Sequence, residues 1–456
     1  MKCCLAAGSI VVPGEELALQ PSVRIADWAG IRDRNRPYLL EGGRIAAGPK
    51  GEARRSDILV SHDGRIEQVG EHLSVAAGID RIDASSALIV PGFIDAHQHL
   101  DKTGVVKLAP NPSGTLQGAR EAFALYARNA PPEDVARRAS RTMARCLARG
   151  TTAIRSHTNV DKDAGFVGLD ALSELRRQWA DRLTVQLVAF MTPHPNQDLD
   201  WLIANIDAAA SRADAVGGTP AVSEDPFRYL DILFEAAVRH DLPLDFHLDE
   251  HLNPERPLFE AVFERVRKYG MQGRTVLSHA SVLSALPRSE FQKILEQLLE
   301  LDIGVITLPA ATLYLQGRSH EMLPPRGLTR VAELARAGVP IAAASDNIQD
   351  PFVPTGSGDM LEIGRWTMLA GHLHASELDV VYSMITDIPA RLIGLGGDYG
   401  IRPGARADLV VTDCEDVDRL VAGGPDRMVV LAKGKPVHVN WGADTEEDAS
   451  VARRTA

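Results

Sequence analysis

Between residues 88 and 345 the chain alternates short apolar runs with segments of helical period. Eight of the runs are strand candidates: 88–95, Thr152–Ser156, Leu183–Phe190, Ala213–Gly217, Leu242–His247, Thr275–His279, Ile303–Leu308 and Pro340–Ser345. Stretches such as Pro132–Ala139 and Arg330–Ala337 lie between them and carry apolar residues at helical spacing. Strand–helix alternation of this kind predicts an α/β fold with a parallel sheet, and eight units predict a closed (β/α)8 TIM barrel. An open doubly wound sheet is the rival, but no glycine-rich phosphate turn follows the first strand.

Both ends of the chain read differently. Asp57–Val69 is two apolar runs around an Asp63-Gly64 hairpin turn, and Gly404–Val411 and Met428–Val439 are further strands separated by turns. Two separate β modules would each have too little core, so one small β-sandwich built from both termini is expected. The division is then 1–36 as an N-terminal extension, 37–90 with 396–442 as the composite sandwich, 91–395 as the barrel and 443–456 as a polar tail. The extension is read as a disordered or strand-forming segment rather than an export signal.

Composition narrows the setting. A net charge of -12 disfavours nucleic acid and anionic membrane surfaces, and no stretch is long enough to cross a bilayer. The four cysteines, Cys3, Cys4, Cys146 and Cys414, form no C-x-x-C pair and no secreted framework. A cytoplasmic setting is expected, with a small-molecule partner and a homo-oligomeric state.

The candidate chemistry sits where the strands end. His97 and His99 follow the first run with one residue between them, so on a strand they point the same way. The second run ends in His157, the fifth in His247-Leu248-Asp249-Glu250, the sixth in His279 and the eighth in Asp346. In a barrel these ends converge on one face. Three imidazoles and a carboxylate, His97, His99, His247 and Asp346, suit one divalent ion, Zn²⁺ or Fe²⁺, with a position left for water. Such an ion supplies hydroxide at neutral pH. Glu250 is placed to pass protons to a leaving nitrogen, His279 to hydrogen-bond the hydroxide or polarise the substrate, and Asp346 to share base duty. His157 is read as a pocket wall or a partner behind the ligands, and Asp101 with Lys102 as a rim ion pair. Phe352, Trp201 and Tyr314 are aromatics that core packing explains as well as stacking on a planar ring.

These residues lie in segments that resemble the amidohydrolase superfamily, within it the cytosine deaminases and N-isopropylammelide isopropylaminohydrolases. The segments are Pro91–Thr103, Arg155-Ser156-His157, His247–Glu250, Ser278-His279-Ala280, Leu315–Arg318 with Arg326–Val331, and Ala344–Phe352. The resemblance implies a metal-dependent hydrolase of a carbon–nitrogen bond in a nitrogen heterocycle, with the same ligands and the same roles for Glu250 and His279. It also implies a single ion, because Ala213–Pro220 lacks the lysine that bridges two metals in hydantoinase-type relatives. Two positions depart from cytosine deaminases. Phe190-Met191-Thr192 stands where a glutamine reads the pyrimidine edge, and Asn347 stands where a second aspartate follows the ligand. His157, Thr192, Gln316, Asn347 and Phe352 are the expected substrate contacts. Release of ammonia is the leading expectation. Removal of an N-alkyl amine from a triazine-like ring, or opening of a cyclic amide, comes next. A non-catalytic barrel comes last, since the ligand set is complete.

Overall fold

Turn residues and apolar alternation at the two ends of the chain build one sheet, and the apolar runs between them build another, in a computed structural model that describes residues 28, 31, 36–48, 51–193 and 199–440. Cys3, Cys4, the tail from 443 and His194 lie outside the described residues. The end sheet contains β1 (Tyr38–Ala46), β2 (Ala53–Val60), β3 (Ile66–Gly70), β4 (Asp80–Asp83) and β5 (Leu88–Pro91). The barrel strands are β6 (Phe93–Gln98), β7 (Thr151–Val160), β8 (Thr184–Met191), β9 (Ala215–Gly218), β10 (Leu244–Leu248), β11 (Thr275–His279), β12 (Gly304–Thr307) and β13 (Ile341–Ala343). The chain then returns to the end sheet as β14 (Leu409–Thr412), β15 (Val429–Ala432) and β16 (Lys435–Val439).

The end sheet runs in the order β16-β15-β14-β5-β1-β2-β3, with β4 also paired to β1. β1 pairs with β4 along its first half and with β5 along its second, and its register against β2 shifts between Leu40 and Gly43. The β domain is therefore one branched sheet. Its core unites Tyr38, Leu40 and Ile58 from one end of the chain with Leu409, Val411 and Leu431 from the other. Trp28 and Ile31, within the expected extension, are buried in that same core.

The run 88–95, expected as one barrel strand, is two strands in two sheets. Leu88–Pro91 pairs with β1 and β14, whereas Phe93–Gln98 pairs with β7. The switch is at Gly92, where a Cβ would sit 2.1 Å from Thr152 Oγ1 and 2.4 Å from its Cγ2. Only a residue without a side chain lets the backbones pass this closely. Gly92→Ala is expected to cost roughly 1–3 kcal/mol through overpacking, read as a lower midpoint of urea unfolding. An unchanged midpoint would mean that Thr152 moves aside freely.

All neighbouring barrel strands are parallel, in the order β6 through β13. Side chains alternate as the pleat requires. Ile154, Phe246 and Leu277 belong to the core shared with the surrounding helices, while Ala153, Val276, Ile306 and Ala342 pack together in a separate cluster. The seam between β13 and β6 closes at its upper end, where Gln98 bridges Asp346 and Asp346 N donates to His97 O at 2.9 Å. Lower down, Ile94 N and Ala343 N donate to the carbonyls of Ile385 and Met384. Gln98 faces away from its two histidine neighbours and donates to Asp95 Oδ2 at 2.7 Å and Ser345 Oγ at 3.2 Å, tying the seam together.

Candidate active site

Closing the seam brings the first and last strand ends together. Asp346 Oδ1 lies 3.5 Å from His97 Nε2 and 3.2 Å from His99 Nε2, and His99 Nε2 lies 3.1 Å from His247 Nε2. His97, His247, His279 and Asp346 each offer one ligand atom within 4.8 Å of the others, and all are buried. Asp346 and His279 take left-handed backbone conformations, φ 60° and 67°. Such conformations are costly for residues other than glycine and gather at sites where geometry is over-determined.

Hydrogen bonds behind the rings set their tautomers. His99 Nδ1 is 2.8 Å from the His157 carbonyl, which can only accept, so Nδ1 carries the hydrogen. Ser278 Oγ donates to the Asp245 carboxylate at 3.3 Å and so accepts from His97 Nδ1 at 2.8 Å. Both Nε2 atoms are then bare lone pairs facing a carboxylate. Burial, with the charge of Lys102 adding to it, pushes His99 down to about 3, and burial followed by the surrounding imidazoles holds His247 well below its ordinary value. Burial also lowers His279. Burial would raise Asp346, but the His97, His99 and His279 rings packed against it hold it well below the carboxylate range. His97 Nε2, both His279 ring nitrogens and Asp346 Oδ1 have no hydrogen-bond partner despite being buried. Acceptors crowded together and left unsatisfied in a protein interior need a cation. Neutral imidazole with ionised carboxylate is the protonation state that binds a divalent metal.

A pocket opens above this cluster, about 620 Å³ with the open space at its mouth included. His99, His247, His279, Asp346 and Glu250 reach it, and Glu250 Oε1 lies 3.7 Å from His279 Nδ1. Of the expected substrate contacts, Thr192, Asn347 and Phe352 line the pocket. Thr192 Oγ1 is buried and unpartnered, while the Asn347 amide donates to Asp350 at 2.6 Å. Gln316 and His157 are not in the lining. Gln316 Nε2 instead donates to the Glu250 carbonyl at 3.1 Å. His157 stacks on His97 with ring centroids 3.8 Å apart, behind the cluster. Trp201 packs into the main core and Tyr314 lies under the Arg318 guanidinium; neither lines the pocket.

Several residues of the site were not anticipated. Lys102 forms no rim pair with Asp101. It is buried in the pocket wall, donates to Asn159 Oδ1 at 2.6 Å, and has the rings of Phe123, Phe352 and Phe190 4.9–5.8 Å from its ammonium. Arg120 and Phe123 reach the pocket from the helix Leu116–Ala127. Beneath the histidines, Arg155 pairs with Asp245 at 3.0 Å, and Asp245 also meets His157 Nε2 at 3.1 Å. Burial opposes ionisation of Asp245, but His157 and Arg155 hold it down to about 2. The period of 2 was the available signal. Arg155 with His157 on β7, and Asp245 with His247 on β10, share the inward face.

The chain matches known proteins along most of its length. The amidohydrolase family profile covers residues 113–438. A pterin deaminase of Rhizobium rhizogenes is 30% identical over 394 residues, 86% of this chain and 90% of the relative. An N-isopropylammelide isopropyl amidohydrolase of Pseudomonas sp. is 28% identical over 365 residues, 78% of this chain and 87% of the relative. The crystal structure of a 5-methylcytosine deaminase from Klebsiella pneumoniae, liganded with 5-fluorocytosine, superposes with a TM-score of 0.81 at 27% identity, covering 90% of this chain and 100% of that one. With a barrel whose strand ends gather imidazoles and a carboxylate in one buried mouth, this chain belongs to the amidohydrolase family, the metal-dependent hydrolases of carbon–nitrogen bonds.

Proposed function

We propose that the protein removes an exocyclic amine from a nitrogen heterocycle by hydrolysis, releasing ammonia. His97, His99, His247 and Asp346 would hold one zinc or iron(II) ion. What supports this reading above all is the crowding of unsatisfied Nε2 and carboxylate lone pairs at one spot beside Glu250. The ion, when bound, supplies Lewis acidity and draws a nucleophile from water at neutral pH. A second group, His97, His157 and Asp245, also lies within 4.8 Å. Arg155 already neutralises Asp245 there, which favours a single ion.

The protein's own groups move the protons. His279 orients the attacking water beside Asp346. The water oxygen bonds the amine-bearing ring carbon as Glu250 takes the first proton of the water and delivers it to the adjacent ring nitrogen. Asp346 passes the second proton of the water to the exocyclic nitrogen. The carbon–nitrogen bond then breaks, leaving an oxo group on the ring and free ammonia. Phe123, Phe190 and Phe352 give the ring an apolar enclosure. The pterin, cytosine and ammelide chemistry named for its relatives suggests the substrate class. The net charge of -12 fits the expectation that neither nucleic acid nor membrane is a partner. No described helix is long and apolar enough to cross a membrane. A cytoplasmic setting and a homo-oligomer complete the proposal.

The test is product analysis on metal-loaded protein with pterins, aminopyrimidines and N-alkylated triazines. Ammonia from an unsubstituted amine is the expected result. Release of an alkylamine, or ring opening without ammonia, would replace the deaminase reading by its rivals.

A further inference from the structure

Arg120 is a pocket cation that feels the charge of Glu250 without being bonded to it. It lies in the pocket wall, on the same helix as Phe123 and one turn before it. Among the described residues no hydrogen bond or ion pair to the protein holds its guanidinium. Burial lowers its pKa and Glu250 is the charge that opposes this. Arginine does not escape by losing its proton. Arg120 is half-buried, and a guanidinium partly withdrawn from water with no bonded counter-ion is unfavourable; the buried Arg155 and Arg427 are paired, with Asp245 and Asp359. The other cation of the pocket, Lys102, is satisfied by Asn159 and the surrounding rings.

We propose that Arg120 binds an anionic oxygen on the heterocycle, so that the preferred substrate is an amine-bearing ring that also carries a carboxylate or an ionised ring oxygen. This rests on the deaminase reading above and narrows its substrate class. A guanidinium offers a two-pronged donor face to such a group. Neither the metal cluster nor Glu250 supplies that recognition.

The experiment compares pterin with pterin-6-carboxylate and with isoxanthopterin, whose added ring oxygen ionises readily, and compares cytosine with 5-carboxycytosine. Wild type is expected to show higher kcat/KM for an anionic compound than for its parent, and which anion wins identifies the oxygen. In Arg120→Gln, KM for that compound should rise about 10- to 100-fold, the range for a lost charge-assisted hydrogen bond. The loss should fall far less on the parent, and Arg120→Lys should restore part of it. Wild type indifferent to the anion, or Arg120→Gln slowing anionic and parent compounds alike, would overturn the proposal; the latter would make Arg120 a positioning residue for Glu250. Should no compound be hydrolysed, the deaminase reading fails by itself. Calorimetric titration with pterin-6-carboxylate and isoxanthopterin then decides Arg120. Binding of either, weakened at least 10-fold in Arg120→Gln, supports it. Binding of neither, or unweakened binding, refutes it.

Discussion

His97→Ala is expected to lose its metal and, with it, activity. The ring contributes an Nε2 lone pair whose direction is fixed from behind by Ser278 and Asp245. Removing partners behind a ligand costs about 10–100-fold in metal affinity, so removing a ligand itself should exceed that range. Loss of the several kcal/mol of charge stabilisation that a catalytic ion supplies corresponds to a drop in kcat/KM of about 10³-fold or more. Elemental analysis of the purified variant beside turnover measurements checks both halves. Wild-type metal content with wild-type rates would remove His97 from the ligand set.

Glu250→Gln separates proton transfer from metal binding. Glutamine keeps the shape of the side chain and leaves intact the backbone contact from Gln316 to the Glu250 carbonyl, but it cannot shuttle a proton. Metal content should stay at the wild-type level while kcat falls by about 10²–10⁴-fold, the usual worth of a positioned general acid. Full activity in this variant would take Glu250 out of the chemistry.

How much of this was legible in the sequence follows from which residues obey one periodicity. The barrel was readable because its strands are short apolar runs at regular intervals, and His97, His99, His247, His279 and Asp346 stood out because polar residues end those runs. The split at Gly92 had a local signal in Pro91-Gly92, but the apolar residues on both sides of that break read as a single strand. Arg120 and Phe123 were missed for another reason. Their helix follows the first strand, and an aromatic on such a helix reads as core unless the helix is known to lean over the barrel mouth. Lys102 was misplaced because its neighbour Asp101 offered a nearer partner along the chain. In the fold, Asp101 Oδ2 accepts from Asn159 N while Lys102 turns to the Asn159 side chain. The Arg155–Asp245 pair joins residues 90 positions apart, a distance over which pattern reading carries no information about contact.

The position of β5 between β1 and β14 bears on how the protein is made. A ribosome delivers Leu88–Pro91, and soon afterwards His97 and His99, more than 300 residues before the strand that covers the open side of β5. Until then the nascent chain carries an apolar edge with unmet backbone groups, the kind of template on which strands from other chains can assemble. Folding of the small domain is therefore a final event of synthesis. A chain cut short before Leu409 should aggregate rather than persist as a free barrel.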